Sequence, residues 1–200
     1  MLKLSGINHR ASCLCFFAWA LDVQVRRIVE IGVNKGETAQ QLRLLFPQAH
    51  LYLVDPWALS FEYSLSGTPI SRKTKHYENA YNQVSTLFSS DSRATILRMS
   101  SMQALSYIPD GLDLIFIDAN HEYRKVKENI LAWLPKVAPG GLLAGHDYEP
   151  TIPMFSGVKQ AVEECFGKNF TLGKDRVWVH KRYAKGGTRT PTSCLTTTSK

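Results

Sequence analysis

The stretch Arg27-Ile28-Val29-Glu30-Ile31-Gly32-Val33-Asn34-Lys35-Gly36 closes a β-branched run on two glycines, and a polar amphipathic segment opens directly behind it. Such a run reads as a strand over residues 27–32, followed by a helix over 37–46. Ala39, Leu42, Leu45 and Phe46 share one helical face, and Pro47 stops the helix. At this junction glycines let backbone come close to a ligand, while the first amides of the helix point outward.

The next apolar run, residues 50–55, is a second strand that ends on Asp55, 19 residues beyond Gly36. An acid at that place can accept both hydroxyls of a ribose, so Gly32, Gly36 and Asp55 together predict a nucleoside-containing cofactor. The plainer alternative is that the glycines only permit a tight turn and Asp55 only caps it. Residues 56–75 have mixed polarity and contain Gly67-Thr68-Pro69, which predicts a long loop able to act as a lid.

Farther along, strands are predicted over 94–99 and 112–117, the latter apolar on both faces as a central parallel strand is. A helix of residues 76–88 lies between the loop and the first of these. Val126, Ile130, Trp133, Leu134 and Val137 fall on a helical period that Pro139-Gly140-Gly141 ends. A strand over 141–146, a helix over 157–166 and two closing strands, 169–172 and 176–181, complete the pattern. Strand and helix alternate throughout, which predicts an α/β fold with a mostly parallel sheet. Residues 1–183 are read as one domain, with 1–26 a helical cover, and the Thr/Ser/Gly/Pro-rich residues 184–200 as a disordered basic tail.

The 200 residues carry a net charge of +7, with 44% hydrophobic and 20% charged residues, ordinary values for a globular chain. Five of the 24 basic residues lie after position 180, leaving 19 against 17 acidic ones. No basic stripe remains to hold a phosphate backbone, so no nucleic-acid partner is expected. The longest apolar run, 13–21, is too short to span a bilayer, and no membrane role is expected. Lys3, His9 and Arg10 before Ala18-Trp19-Ala20 have the layout of a short secretory signal; the same residues read equally well as a first helix. Four cysteines without Cys-x-x-Cys spacing suit free thiols and a cytoplasmic location.

A nicotinamide cofactor calls for Gly-x-Gly-x-x-Gly, but here Asn34 takes the middle position and Glu37 the last. The Glu37 carboxylate would face the pyrophosphate. S-adenosylmethionine has no phosphate and tolerates Glu30 beside its amino-acid part, so it is the favoured cofactor.

Through Glu30-x-Gly32-x-x-x-Gly36, Val54-Asp55-Pro56-Trp57, Ile117-Asp118-Ala119-Asn120-His121-Glu122-Tyr123 and residues 139–148, the sequence resembles the class I S-adenosylmethionine-dependent methyltransferases. Within them it is similar to the branch of macrocin O-methyltransferase and cephalosporin-hydroxylase-like proteins. The resemblance covers about residues 26–182. It implies a three-layer Rossmann-like sheet of seven strands, the last antiparallel, with cofactor over the ends of the first two. Ser100 stands where many relatives carry an acid, which passes the adenine contacts to Ser101 and Met102.

A second constellation lies at the ends of the fourth and fifth strands: Asp118 with His121, and His146 with Asp147. Neighbouring strand ends are about 4.8 Å apart, so the two carboxylates can converge. Paired carboxylates repel unless a proton or cation lies between them, and hard oxygen ligands suit Mg²⁺. The resembled branch includes metal-dependent sugar O-methyltransferases with acids at matching positions, although an acid often replaces His146 there. Ordinary capping by the two acids is the alternative. Trp57, Tyr123 and Tyr148 flank these ends, either to stack on a ligand or simply to pack.

The resulting expectation is a methyltransferase that modifies a hydroxyl on a small molecule or sugar. Asp118, His121, His146 and Asp147 are its candidate catalytic residues; Glu30, Gly32, Gly36, Asp55, Ser101, Met102 and Asp118 are its candidate cofactor residues. Asp118 and Asp147 are candidate ligands for Mg²⁺. A binding module without turnover and a nicotinamide-dependent oxidoreductase are the rivals.

Overall fold

The structure, a computed structural model, describes residues 9–58, 70–148 and 156–183. Its strands are β1 (Arg27–Ile31), β2 (His50–Val54), β3 (Ala94–Leu97), β4 (Leu112–Ile117), β5 (Val137–Gly145), β6 (Thr171–Leu172) and β7 (Trp178–Lys181). Its helices are α1 (His9–Ala20), α2 (Glu37–Leu45), α3 (Ile70–Leu87), α4 (Ser101–Ala104), α5 (Tyr123–Trp133) and α6 (Ser156–Phe166).

The seven strands form one sheet in the order β3-β2-β1-β4-β5-β7-β6. β1 to β5 pair in parallel, and β7 is antiparallel to both of its neighbours. Chain order reverses between β1 and β4, the switch point at which open α/β sheets leave a crevice beyond the strands' carboxyl ends.

Side chains alternate across the sheet with period two. Ile28, Leu51, Leu53, Leu114 and Phe116 form one core with Ala11, Leu14 and Phe17 of α1, Ala39 and Leu42 of α2, and Ala80 and Val84 of α3. Val29, Ile31, Ile115, Ile117 and Leu143 form the other with Val126, Ile130 and Trp133 of α5 and Val158 and Val162 of α6. The result is the three-layer Rossmann-like fold. Among the described residues no helix is long and apolar enough to cross a membrane.

Two predicted boundaries move. Helix α3 starts at Ile70, inside the segment read as loop. Its first turns, Ser71 to Lys75, are polar and carry no apolar period, whereas the anchoring residues Tyr77, Ala80, Tyr81 and Val84 come only later. The remaining lid residues, 59–69, lie outside the described residues, as does the tail, 184–200.

Helix α5 ends at Trp133, and Leu134–Lys136 form a single 3₁₀ turn. Val137 therefore opens β5, and Pro139-Gly140-Gly141 lie within that strand. Pro135 has no N–H to continue the helix, so the chain turns there rather than at Pro139.

Candidate active site

Gly32 closes β1 at φ +91°, and a Cβ on it would overlap the Asp118 backbone carbonyl and come within 2.8 Å of Ala119 Cα. Only glycine lets the loop after β1 lie against the end of β4. Asn34 takes the middle motif position at φ 49°, a left-handed conformation that asparagine tolerates. Gly36, at φ +78°, precedes α2 and faces Val84 Cγ2 at 3.0 Å, in the core rather than the crevice.

Asp55, just beyond β2, binds this loop. Its Oδ2 accepts hydrogen bonds from the amides of Val33 and Asn34, both at 2.9 Å, and its Oδ1 accepts from the Trp57 amide at 2.7 Å. An ionised carboxylate has about four acceptor positions, which leaves roughly one for a ligand hydroxyl. The Trp57 indole donates to the Asn34 carbonyl at 2.7 Å and is buried edge-on to Tyr81, so it packs under the loop. Tyr148 is likewise buried, with its hydroxyl 3.0 Å from Glu163.

A cavity of about 900 Å³ opens over the ends of β1, β2 and β4. Ligand pockets run from roughly 300 to 1,000 Å³, so this one has room for a cofactor and an acceptor. Glu30, Gly32, Asp55, Ser101, Met102 and Asp118 all line it, as do Asn34 and Glu37. Ser100 caps α4 through a capping box with Gln103, which leaves Ser101 and Met102 on the wall.

Glu30 is buried at 2% exposure, and its Oε2 has no hydrogen-bond partner among the described residues. Burial, reinforced by the charges of Asp118 and Asp55, holds its pKa well above the usual carboxylate range. An orphaned buried acid on a cavity wall fits a cationic group, and the ammonium and sulfonium of S-adenosylmethionine are cationic. The cofactor therefore fits the residues present.

Next to β1, β4 and β5 lie side by side, with Ile117 paired to Gly145. Asp118, His121 and Asp147 line the cavity, while His146 is 4% exposed and does not line it. His121 Nε2 stands 2.8 Å from Asp147 Oδ2. His146 Nδ1 lies 3.6 Å from Asp118 Oδ1 and 3.2 Å from Asp147 Oδ1. Burial opposes a charge on His146, but the two carboxylates outweigh it and raise its pKa to about 9. Asp147 also loses hydration by burial, yet His121 and His146 hold its pKa well below the usual range.

Three residues of this site were not singled out in the sequence as chemical groups. Arg10 of α1 places Nη1 2.6 Å from Asp118 Oδ2 and Nε 3.5 Å from Asp175 Oδ2. Arg176 Nη1 is 3.3 Å from Asp147 Oδ1. Arg10 and Asp118 are 108 residues apart, and no local pattern connects them.

Donor atoms of Asp118, His121 and Asp147 all lie within 4.8 Å of one another, the geometry of a candidate cation site. Guanidinium groups already share its two acids, Arg10 with Asp118 and Arg176 with Asp147. The Asp118 and Asp147 oxygens already face Arg10, His121, His146 and Arg176.

The sequence model of the methyltransferase-domain family matches residues 29–148. The uncharacterized protein y4gI of Sinorhizobium fredii (strain NBRC 101917 / NGR234) is 30% identical over 140 residues, 67% of this chain. The chain spans only 14% of that relative's length. The O-methyltransferase NovP superposes with a TM-score of 0.62 at 18% identity, over 87% of this chain and 78% of its own. TomG from Streptomyces achromogenes, an O-methyltransferase involved in tomaymycin synthesis and solved with S-adenosylmethionine, gives 0.54 at 16% identity, over 91% and 83%. At these identities the two structures show likeness of fold. Glu37 in the first turn of α2 sets a negative charge where a dinucleotide would need its phosphates, which agrees with the family match and not with a nicotinamide enzyme. With its match over more than half its length and its sheet order, the chain belongs to the methyltransferase-domain family and has the class I S-adenosylmethionine-dependent methyltransferase fold.

Proposed function

We propose that this chain methylates a hydroxyl group on a small molecule or sugar, with S-adenosylmethionine as donor. One observation carries the reading: a single cavity is lined both by the buried Glu30, whose Oε2 has no partner among the described residues, and by Asp118, His121 and Asp147.

When bound, the cofactor supplies an electrophilic methyl and keeps the carbon–sulfur electron pair as a neutral thioether. Glu30 faces its cationic amino-acid part, and the Gly32 loop and Asp55 orient its ribose. Ser101 and Met102 line the adenine end. His121, braced by Asp147, takes the acceptor's proton as the oxygen–methyl bond forms and later releases it to water. General-base catalysis of this kind contributes typically 10²- to 10⁴-fold. Asp118 and the buried His146 hold the Asp147–His121 pair in place from below. Cys13, Cys15 and Cys165 are free thiols, which supports the cytoplasm as the working compartment.

The test is calorimetric binding of S-adenosylmethionine, followed by methyl transfer to a panel of sugar and phenolic hydroxyls. Tight binding with turnover that falls by 10²-fold or more in His121→Ala, at unchanged cofactor affinity, supports the reading. Binding without transfer to any acceptor points to the binding module instead, and no binding at all overturns the reading.

A further inference from the structure

Helix α5 turns Val126, Asn129, Ile130 and Trp133 inward, spaced as i, i+3, i+4 and i+7. Three of the four are apolar and belong to the core beside Ala104 of α4. Asn129 is the exception. It is 5% exposed in the middle of a helix, where asparagine is a poor helix former and a leucine would suit the stripe. Its Nδ2 donates to the Lys125 carbonyl at 2.9 Å, one turn back. That bond fixes which way the amide faces, because the amide oxygen would be repelled by another carbonyl oxygen. Oδ1 is left shielded from water and, among the described residues, without a hydrogen-bond partner. A buried acceptor in that state costs stability, so the position calls for a donor brought in from outside the protein. Asn129 lines the large cavity, together with Lys125 and Glu128 of its own helix and Ser101 and Met102 of α4, which packs against α5.

We propose that Asn129 reads the base of the cofactor: its Oδ1 accepts a hydrogen bond from the exocyclic amine of adenine. The proposal rests on the methyltransferase reading, which puts the adenine beside Ser101 and Met102. The 6-amine is the donor that adenine offers on its exposed edge, next to ring nitrogens that only accept. An acceptor on the wall therefore selects adenine, and it meets oxygen with oxygen when a carbonyl replaces the amine, as in hypoxanthine. A buried polar group left unpaired discriminates between ligands more strongly than a lost apolar contact does. The side chain has only to yield slightly, since hydrogen bonds in ligand-free sites commonly tighten on binding. No proton moves in this contact, so it governs which nucleoside binds rather than the rate of transfer once the nucleoside is bound.

The experiment is calorimetric titration of the full-length protein with S-adenosylhomocysteine and with S-inosylhomocysteine, which differ in the purine alone. Wild type should bind the adenosyl form about tenfold more tightly, or more, a difference of about 1.4 kcal/mol. Asn129→Leu extends the apolar stripe and removes the unpartnered oxygen. It should melt no lower than wild type, lose affinity for the adenosyl form and bind the two ligands alike. Asn129→Ala should level the two affinities in the same way if leucine disturbs the fold. Equal binding of both ligands by wild type overturns the proposal, as does a folded variant that keeps the wild-type preference. A variant that melts lower and weakens both ligands by the same factor also overturns it, because Asn129 is then a structural residue only. Binding of neither ligand by wild type would sink the methyltransferase reading itself, an outcome distinct from equal binding, which sinks the adenine contact and leaves that reading standing.

Discussion

Gly32 rests against the main-chain carbonyl of Asp118, with no room for a Cβ between them. The contact fastens the loop after β1 to the end of β4. Main-chain bonds reinforce it, from the Asp118 amide to the Ile31 carbonyl at 2.8 Å and from the Gly32 amide to the Val54 carbonyl at 2.9 Å.

Gly32→Ala should therefore cost about 3 kcal/mol or more in urea-unfolding stability, since the obstacle is backbone that cannot swing aside. Cofactor affinity should fall with it. A variant within about 0.5 kcal/mol of wild type would show that the loop can slide without penalty.

Asp55→Ala removes the acceptor for three backbone amides, those of Val33, Asn34 and Trp57. Hydrogen bonds to a charged group are worth roughly 1.5 to 3 kcal/mol each, so stability should drop measurably. The dissociation constant for S-adenosylmethionine should rise at least tenfold, about 1.4 kcal/mol. Unchanged calorimetric affinity would refute the ribose role.

The His146 pKa is raised from 6.5 to about 9, because the Asp118 and Asp147 carboxylates outweigh the burial that opposes its charge. A raised histidine pKa stabilises the fold fully below pH 6.5 and loses that contribution as pH climbs through about 9. Wild type should lose on the order of 2 kcal/mol over that window relative to His146→Asn. Parallel curves for the two proteins would contradict the assignment.

For Glu30 stability also falls as pH rises, but the group is a net cost to the fold rather than a gain. Its pKa, held high by burial and then by Asp118 and Asp55, means that the folded protein keeps a proton which the unfolded chain gives up above pH 4.5. The resulting penalty grows with pH. Glu30→Gln should melt higher than wild type at neutral pH, by about 2 to 4 °C for each kcal/mol relieved, and the gap should close near pH 4.5. Cofactor affinity should weaken in the same variant. A variant that melts lower at neutral pH would show Glu30 to be a satisfied structural acid.

Local sequence determined the strand runs, the glycine that must follow β1, and the acids and histidines at the ends of β4 and β5. Each is written within a few residues of itself: period-two apolar runs, a glycine where no Cβ fits, polar residues where a strand stops. The start of α3 and the end of α5 were less legible. A polar first turn has no apolar period to announce it, and a proline two residues into the turn outweighed the glycine pair further on.

Tertiary structure alone decided what neutralises the acids. Arg10 and Asp118 meet across 108 residues, and the carboxylates of Asp118 and Asp147 raise the His146 pKa against the burial that opposes its charge. Coulomb energy and desolvation depend on distances through space and on access to water, and neither is encoded in the order of residues along a chain.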